Sequence, residues 1–182
     1  MIIVRPATSA DAEDLAAIYG DAVLHGFGTF EEDPPSAAEM DARRRAIAER
    51  GLPYLVAEQD GRVVGFAYAG PFRPRAAYRY TLEDSVYVAP DAAGKGVGRA
   101  MLAAVIEACE ALGVRQLMAV IGDSGNSASI GLHLALGFEQ TGVGRSVGFK
   151  HGRWVDIVHM QKPLNGGDSR EPTGAGVKLT GH

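Results

Sequence analysis

Residues 80–121 place a strand, a glycine-rich turn, a helix and a second strand in immediate succession, and no other stretch restricts the fold as much. Ser85-Val86-Tyr87-Val88 closes a strand-like run over 80–88, and residues 93–99 read Ala-Gly-Lys-Gly-Val-Gly-Arg. An amphipathic helix then spans 97–112, Gly113 stops it, and a strand covers 115–121. A strand, crossover helix and strand imply a parallel pair with a right-handed crossover.

The remaining pattern surrounds this unit. Residues 2–5 form a first strand; Thr8-x-x-Asp11 resembles a capping signature ahead of a helix carrying Leu15, Ile18, Tyr19 and Ala22 on one face. Ser36-x-x-Glu39 opens a second helix that runs to about Arg50. Strands over 54–58 and 63–69 flank Asp60-Gly61, a hairpin signal and hence an antiparallel pair. A helix over 127–136 ends at Gly137, followed by strands over 138–142 and 154–160 with a turn at His151-Gly152. The expected fold is an α/β (α+β) mixed sheet, mostly antiparallel, with one parallel βαβ pair and helices on both faces.

With 182 residues, the chain fits one domain with a real core, here residues 1–164. Residues 165–182 are rich in Gly, Ser, Thr and charge without apolar periodicity, so a disordered tail is expected. A net charge of −4 with no basic stretch argues against nucleic acid. No apolar run approaches a membrane span, and Met1-Ile2-Ile3-Val4-Arg5 lacks a signal peptide's architecture, so a cytoplasmic location is expected. The single cysteine, Cys109, sits on the apolar face of the 97–112 helix and reads as a buried structural thiol. No His/Cys/Asp cluster has metal-ligand spacing, and no metal is expected.

The glycine turn is suited to an anion. Glycines admit a ligand close to the backbone, and the helix start supplies unpaired N–H groups and partial positive charge. Gly94, Lys95, Gly96, Val97, Gly98 and Arg99 therefore form a candidate pyrophosphate site, the two basic side chains adding formal charge. Walker A fails because Gly96 follows Lys95, and the dinucleotide fingerprint fails at Met101. The loop resembles the acyl-CoA pyrophosphate loop of the GNAT N-acetyltransferase superfamily, Gln/Arg-x-x-Gly-x-Gly/Ala, except that Ala93 stands where Gln or Arg is usual.

Several separated strings narrow the resemblance to the phosphinothricin and methionine sulfoximine N-acetyltransferases. They include Thr29-Phe30-Glu31, residues 72–78 (Phe-Arg-Pro-Arg-Ala-Ala-Tyr), residues 81–88 (Thr-Leu-Glu-Asp-Ser-Val-Tyr-Val), Leu132-His133 and residues 152–156 (Gly-Arg-Trp-Val-Asp). The resemblance covers nearly everything from Ile2 to Leu164. It implies acetyl transfer from acetyl-CoA to the α-amine of a small amino acid or analogue, and a homodimer.

It also implies roles. Glu83 falls at the family's catalytic glutamate, and a carboxylate beside an ammonium can remove its proton. Asp84 next to it reads as an exposed strand carboxylate. The backbone of Val86, Tyr87 and Val88 would bind the pantetheine amides and polarise the thioester. His133 stands where many superfamily members carry a tyrosine that protonates the departing thiolate; a packing histidine fits equally well. Asn126, with Ser129, either holds a pantetheine carbonyl or caps the helix it precedes. Arg73 and Arg75 suit a substrate carboxylate, and Phe30, Tyr78 and Lys150 are candidates for the same pocket. Trp154 reads as core or pocket wall. Other acceptors (a polyamine, an antibiotic, a protein N-terminus) and a silent acyl-CoA sensor remain as alternatives.

Overall fold

A computed structural model describes residues 1–179. Seven strands form one sheet in the order β1-β2-β3-β4-β5-β7-β6. They are β1 (Ile2–Pro6), β2 (Tyr54–Gln59), β3 (Arg62–Pro71), β4 (Thr81–Val88), β5 (Gln116–Gly122), β6 (Glu139–Lys150) and β7 (Arg153–Pro163). Every neighbouring pair is antiparallel except β4 and β5. The helices are α1 (Ala12–His25), α2 (Ala37–Ala48), α3 (Val97–Ala111) and α4 (Ser127–Ala135).

The element order is the one the periodicities predict, and local chemistry accounts for the ends. Before α1, the Thr8 N–H donates to the Asp11 carboxylate at 2.7 Å, closing a short turn over Ser9–Asp11. The Ser36 hydroxyl accepts from the Glu39 N–H at 3.2 Å and caps α2. Asp60-Gly61 and His151-Gly152 all take positive φ, the geometry of tight hairpin turns between twisted strands.

Two layers cover the sheet. Leu15, Tyr19 and Val23 of α1 pack with Phe66 and Tyr54, while Met101, Leu102 and Val105 of α3 fill the other side with Leu82 and Leu117. Tyr87 meets Tyr19 edge-on at 4.9 Å and Phe66 at 5.1 Å, which sets the odd-numbered side chains of β4 towards α1. Cys109 is fully buried and burial pushes its thiol up to about 12, so it is an inert packing group.

Two expectations from the sequence are corrected. The strand expected over 138–142 runs on to Lys150, because β7 pairs with it through two register shifts that leave out Thr141 and residues 145–147, while Gly142, Gly144 and Gly148 stay paired. Trp154 is 63% exposed rather than core, and meets Phe149 edge-on at 5.3 Å near the free edge of the sheet.

The segment after Leu164 makes specific contacts as far as it is described. Asn165 Nδ2 donates to the carbonyls of Glu110 and Val114 at 2.9 and 3.0 Å. The buried Arg115 guanidinium donates to the carbonyls of Gly167, Arg170 and Glu171. Tyr80 Oη donates to the Gly174 carbonyl, and the Val177 N–H to the Arg79 carbonyl at 2.8 Å. The expected tail thus lies along the residues that lead into β4; residues 180–182 fall outside the described residues.

Candidate active site

β4 and β5 pair over only three positions, Thr81 with Gln116, Leu82 with Leu117, and Glu83 with Met118. Both strands continue, to Val88 and Gly122, without pairing to each other. The sheet therefore opens immediately after Glu83, and backbone groups of 84–88 lose their ladder partners on that side. A cleft of about 130 Å³ occupies the opening, between Asp84–Tyr87 and Ala119–Gly122, with Asn126, Ser129 and His133 at its α4 side.

A second cleft, about 490 Å³, continues from it. One wall is Val86–Val88; the floor is Ala93, Gly94, Gly96, Val97, Gly98 and Arg99; the other wall is Asn126, Ser129 and Leu132 of α4. Gly94 and Gly96 have φ of 74° and 85°, a region that favours glycine, and Gly96 is the N-cap of α3. A Cβ on Gly98 would stand 3.3 Å from Leu132, so that glycine also sets the approach of α4. Lys95 does not reach this cleft; it lies with Asp60, Arg62 and Asp91 on the neighbouring surface. Asn126 caps α4, its Oδ1 accepting from the Ser129 N–H at 3.1 Å.

Glu83 and Asp84 have separate environments. Glu83 is half-buried, and burial raises its carboxyl above the ordinary range against the opposing pull of the Arg73 guanidinium. Asp84 is corrected from an exposed to a buried carboxylate: it is 6% exposed, and its Oδ1 lies 3.0 Å from His133 Nε2. The other ring nitrogen of His133 lies 2.7 Å from the Ser129 carbonyl, and Phe138 meets the ring edge-on at 4.9 Å. His133 is 3% exposed with both nitrogens engaged. Burial raises the Asp84 carboxyl, and its pairing with Asp84 raises His133 against the opposing effect of burial.

The candidate acceptor residues lie in two places, the connection from β3 to β4 and the loop after α1 with the end of β6. Arg73 stacks over Phe72 at 4.4 Å, Tyr78 meets the same ring edge-on at 5.8 Å, and Arg75 is exposed at the head of the turn Ala76–Tyr78. Phe30 reaches across β6: a Cβ on Gly148 would fall 2.3 Å from its ring, so only glycine admits it. Lys150 is buried, not part of an open pocket wall, and its Nζ donates to the Thr29 carbonyl at 2.8 Å. Thr29 Oγ1 lies 2.8 Å from the Tyr19 hydroxyl, and Arg43 pairs with Glu31 at 2.7 Å. These ties fix the loop after α1. They escaped the sequence reading; a lysine between two strands' apolar positions was the one available signal.

Residues 17–138 match the Acetyltransferase (GNAT) family. The chain belongs to that family. It is an N-acetyltransferase with acetyl-CoA as co-substrate, and the open strand pair, positive-φ glycines and α3 start fit that group. The phosphinothricin N-acetyltransferase of Alcaligenes faecalis is 56% identical over 169 residues, 93% of this chain and 86% of that protein. An L-methionine sulfoximine/L-methionine sulfone acetyltransferase of Pseudomonas paraeruginosa is 44% identical over 163 residues, 89% of this chain and 94% of that protein. Among solved structures, the phosphinothricin acetyltransferase of Sinorhizobium meliloti in complex with AcCoA superimposes with a TM-score of 0.91 at 48% identity, covering 94% of this chain and 93% of that one.

Proposed function

We propose that this enzyme acetylates the α-amine of a small amino acid analogue of the phosphinothricin, methionine sulfoximine or methionine sulfone type, with Glu83 as general base. The observation that carries the reading is the position of Glu83 at the last paired rung before β4 and β5 separate. A base there adjoins the opening, and its raised pKa brings it closer to the task of deprotonating an ammonium near neutrality. When bound, acetyl-CoA supplies an activated acyl carbon. The chain's part is to hold the pyrophosphate at 94–99, offer the 86–88 backbone to the pantetheine, and take a proton from the amine at Glu83.

Arg73, whose charge reaches Glu83, supports a carboxylate-bearing acceptor. Thiol release with methionine sulfone and with its carboxyl-free amine tests this. Losing one charge-assisted hydrogen bond, roughly 1.5–3 kcal/mol, should cost about 10–150-fold in kcat/KM. Arg73→Ala or Arg75→Ala should erase most of that preference. Equal rates for both amines would favour a polyamine or antibiotic, and no turnover with bound CoA would favour a sensor.

We further read the enzyme as a cytoplasmic homodimer. Val147 and Phe149 of the open edge strand β6, with Trp154 of the adjoining β7, expose apolar surface beside Phe30. Sedimentation of wild type against Trp154→Glu tests this; a monomeric wild type would end it.

A further inference from the structure

Asp84 and His133 both line the smaller cleft, on the strand and the helix, β4 and α4, that go on to wall the larger one. The Ser129 carbonyl can only accept, so His133 Nδ1 carries a hydrogen and donates it across 2.7 Å. Nε2 then faces Asp84 Oδ1 at 3.0 Å, with one further proton between them. Ser129 in turn gives its N–H to Asn126 Oδ1. A continuous run of hydrogen bonds therefore joins the middle of β4 to the first turn of α4.

The sheet does not make this connection. Beyond Glu83 no ladder joins β4 to β5, the strand from which α4 departs, so sheet pairing leaves the α4 start unfixed against Val86–Val88. Asn126, Ser129 and Leu132 form one wall of the larger cleft and Val86–Val88 the other. Asp84 Oδ2 is buried with no hydrogen-bond partner among the described residues, so its carboxylate forgoes solvation for the single contact with His133.

We propose that Asp84 is a positioning residue for acetyl-CoA: acting through His133, it holds the α4 start at a fixed distance from the β4 backbone. The inference rests on the assignment of this cleft to acetyl-CoA. The candidate acceptor base, Glu83, points to the opposite face of β4, so the effect falls on the donor side alone.

The test compares Asp84→Ala, Asp84→Asn and His133→Phe by calorimetric CoA binding, KM for each substrate and thermal stability. Asp84→Ala should weaken CoA binding about tenfold, the effect of roughly one hydrogen bond's worth of positioning, with acceptor KM unmoved. Asp84→Asn should recover most of that affinity, because its amide can donate to the bare Nε2 of a neutral ring. His133→Phe keeps the ring volume beside Phe138 while cutting both bonds, and should reproduce the loss if Asp84→Ala does not fold. Wild-type CoA affinity in folded Asp84→Ala or folded His133→Phe overturns the proposal. So does an Asp84→Asn protein that keeps its CoA affinity but loses turnover as fully as Asp84→Ala, which would give the pair a proton-transfer role. A wild-type protein that binds no CoA would instead remove the assignment of the cleft.

Discussion

Lys150 and Thr29 are joined by a hydrogen bond from a buried ammonium to a main-chain carbonyl 2.8 Å away, tying the end of β6 to the loop after α1. Burial depresses the Lys150 pKa, so the charge is carried at a cost, and its benefit is local order in that loop. Lys150→Met should therefore leave thermal stability within a few degrees while raising acceptor KM roughly tenfold or more. Limited proteolysis should cut residues 26–33 faster than in wild type. Unchanged cleavage would show that the loop is held elsewhere.

Catalysis should report the environment of Glu83. A base works ionised, so kcat/KM falls as pH drops through its pKa, and burial places that fall above the ordinary carboxylate range. Glu83→Gln should lower turnover by about 10²–10⁴ and abolish that acid limb. A pH–rate profile of both proteins decides; an unshifted limb in the variant would exclude Glu83.

Acid stability should report Asp11. Its pairing with Arg5 at 2.8 Å lowers its pKa from 3.8 to about 2. A carboxylate with a depressed folded pKa stabilises the protein above its unfolded pKa, and loses that contribution as pH falls from there through the folded value. Melting temperatures should thus decline between pH 3.8 and about 2, and Asp11→Asn should flatten that part of the decline. Parallel curves would assign the acid sensitivity to other carboxylates.

Gly96→Val should impair acetyl-CoA binding through backbone conformation. A Cβ there would meet nothing within 4 Å, but φ is 85°, which costs an ordinary residue roughly 1–2 kcal/mol and a β-branched one more. Relief of that strain would move the N–H groups at the α3 start. Calorimetry of a folded variant should show at least about a tenfold weaker CoA complex; full affinity would take the loop out of the site.

Deleting the chain after Leu164 should destabilise the enzyme. The deletion removes the carbonyl acceptors of Arg115 and the tie from Tyr80 to Gly174. With a net loss of roughly 2 kcal/mol after ordering entropy, the melting temperature should fall by about 4–8 °C. An unchanged melting temperature would show that the segment is dispensable.

The order of elements was legible because strand and helix periods are bounded by Gly51, Gly113 and Gly137, each with positive φ at a helix end. The length of β6 was not, since Gly142, Gly144 and Gly148 suppress alternation and only pairing with β7 extends it. Glu83 and the glycine loop were read from local pattern and family strings. Asp84 and Lys150 were misplaced because their partners lie 49 and 121 residues away. The contacts of Arg115 with bare carbonyls leave no side-chain signature at all.

The alternation of β4 has an engineering consequence. Even-numbered positions serve the co-substrate through Asp84 and His133, whereas odd-numbered ones from Glu83 to Tyr87 face the aromatic side built by Tyr19 and Phe66. Acceptor range can therefore be redesigned on α1, which packs against the odd-numbered face, while Asp84 and His133 stay untouched on the other. Inserting a single residue before Glu83 would do the opposite, exchanging the two sides and turning each carboxylate towards the wrong substrate.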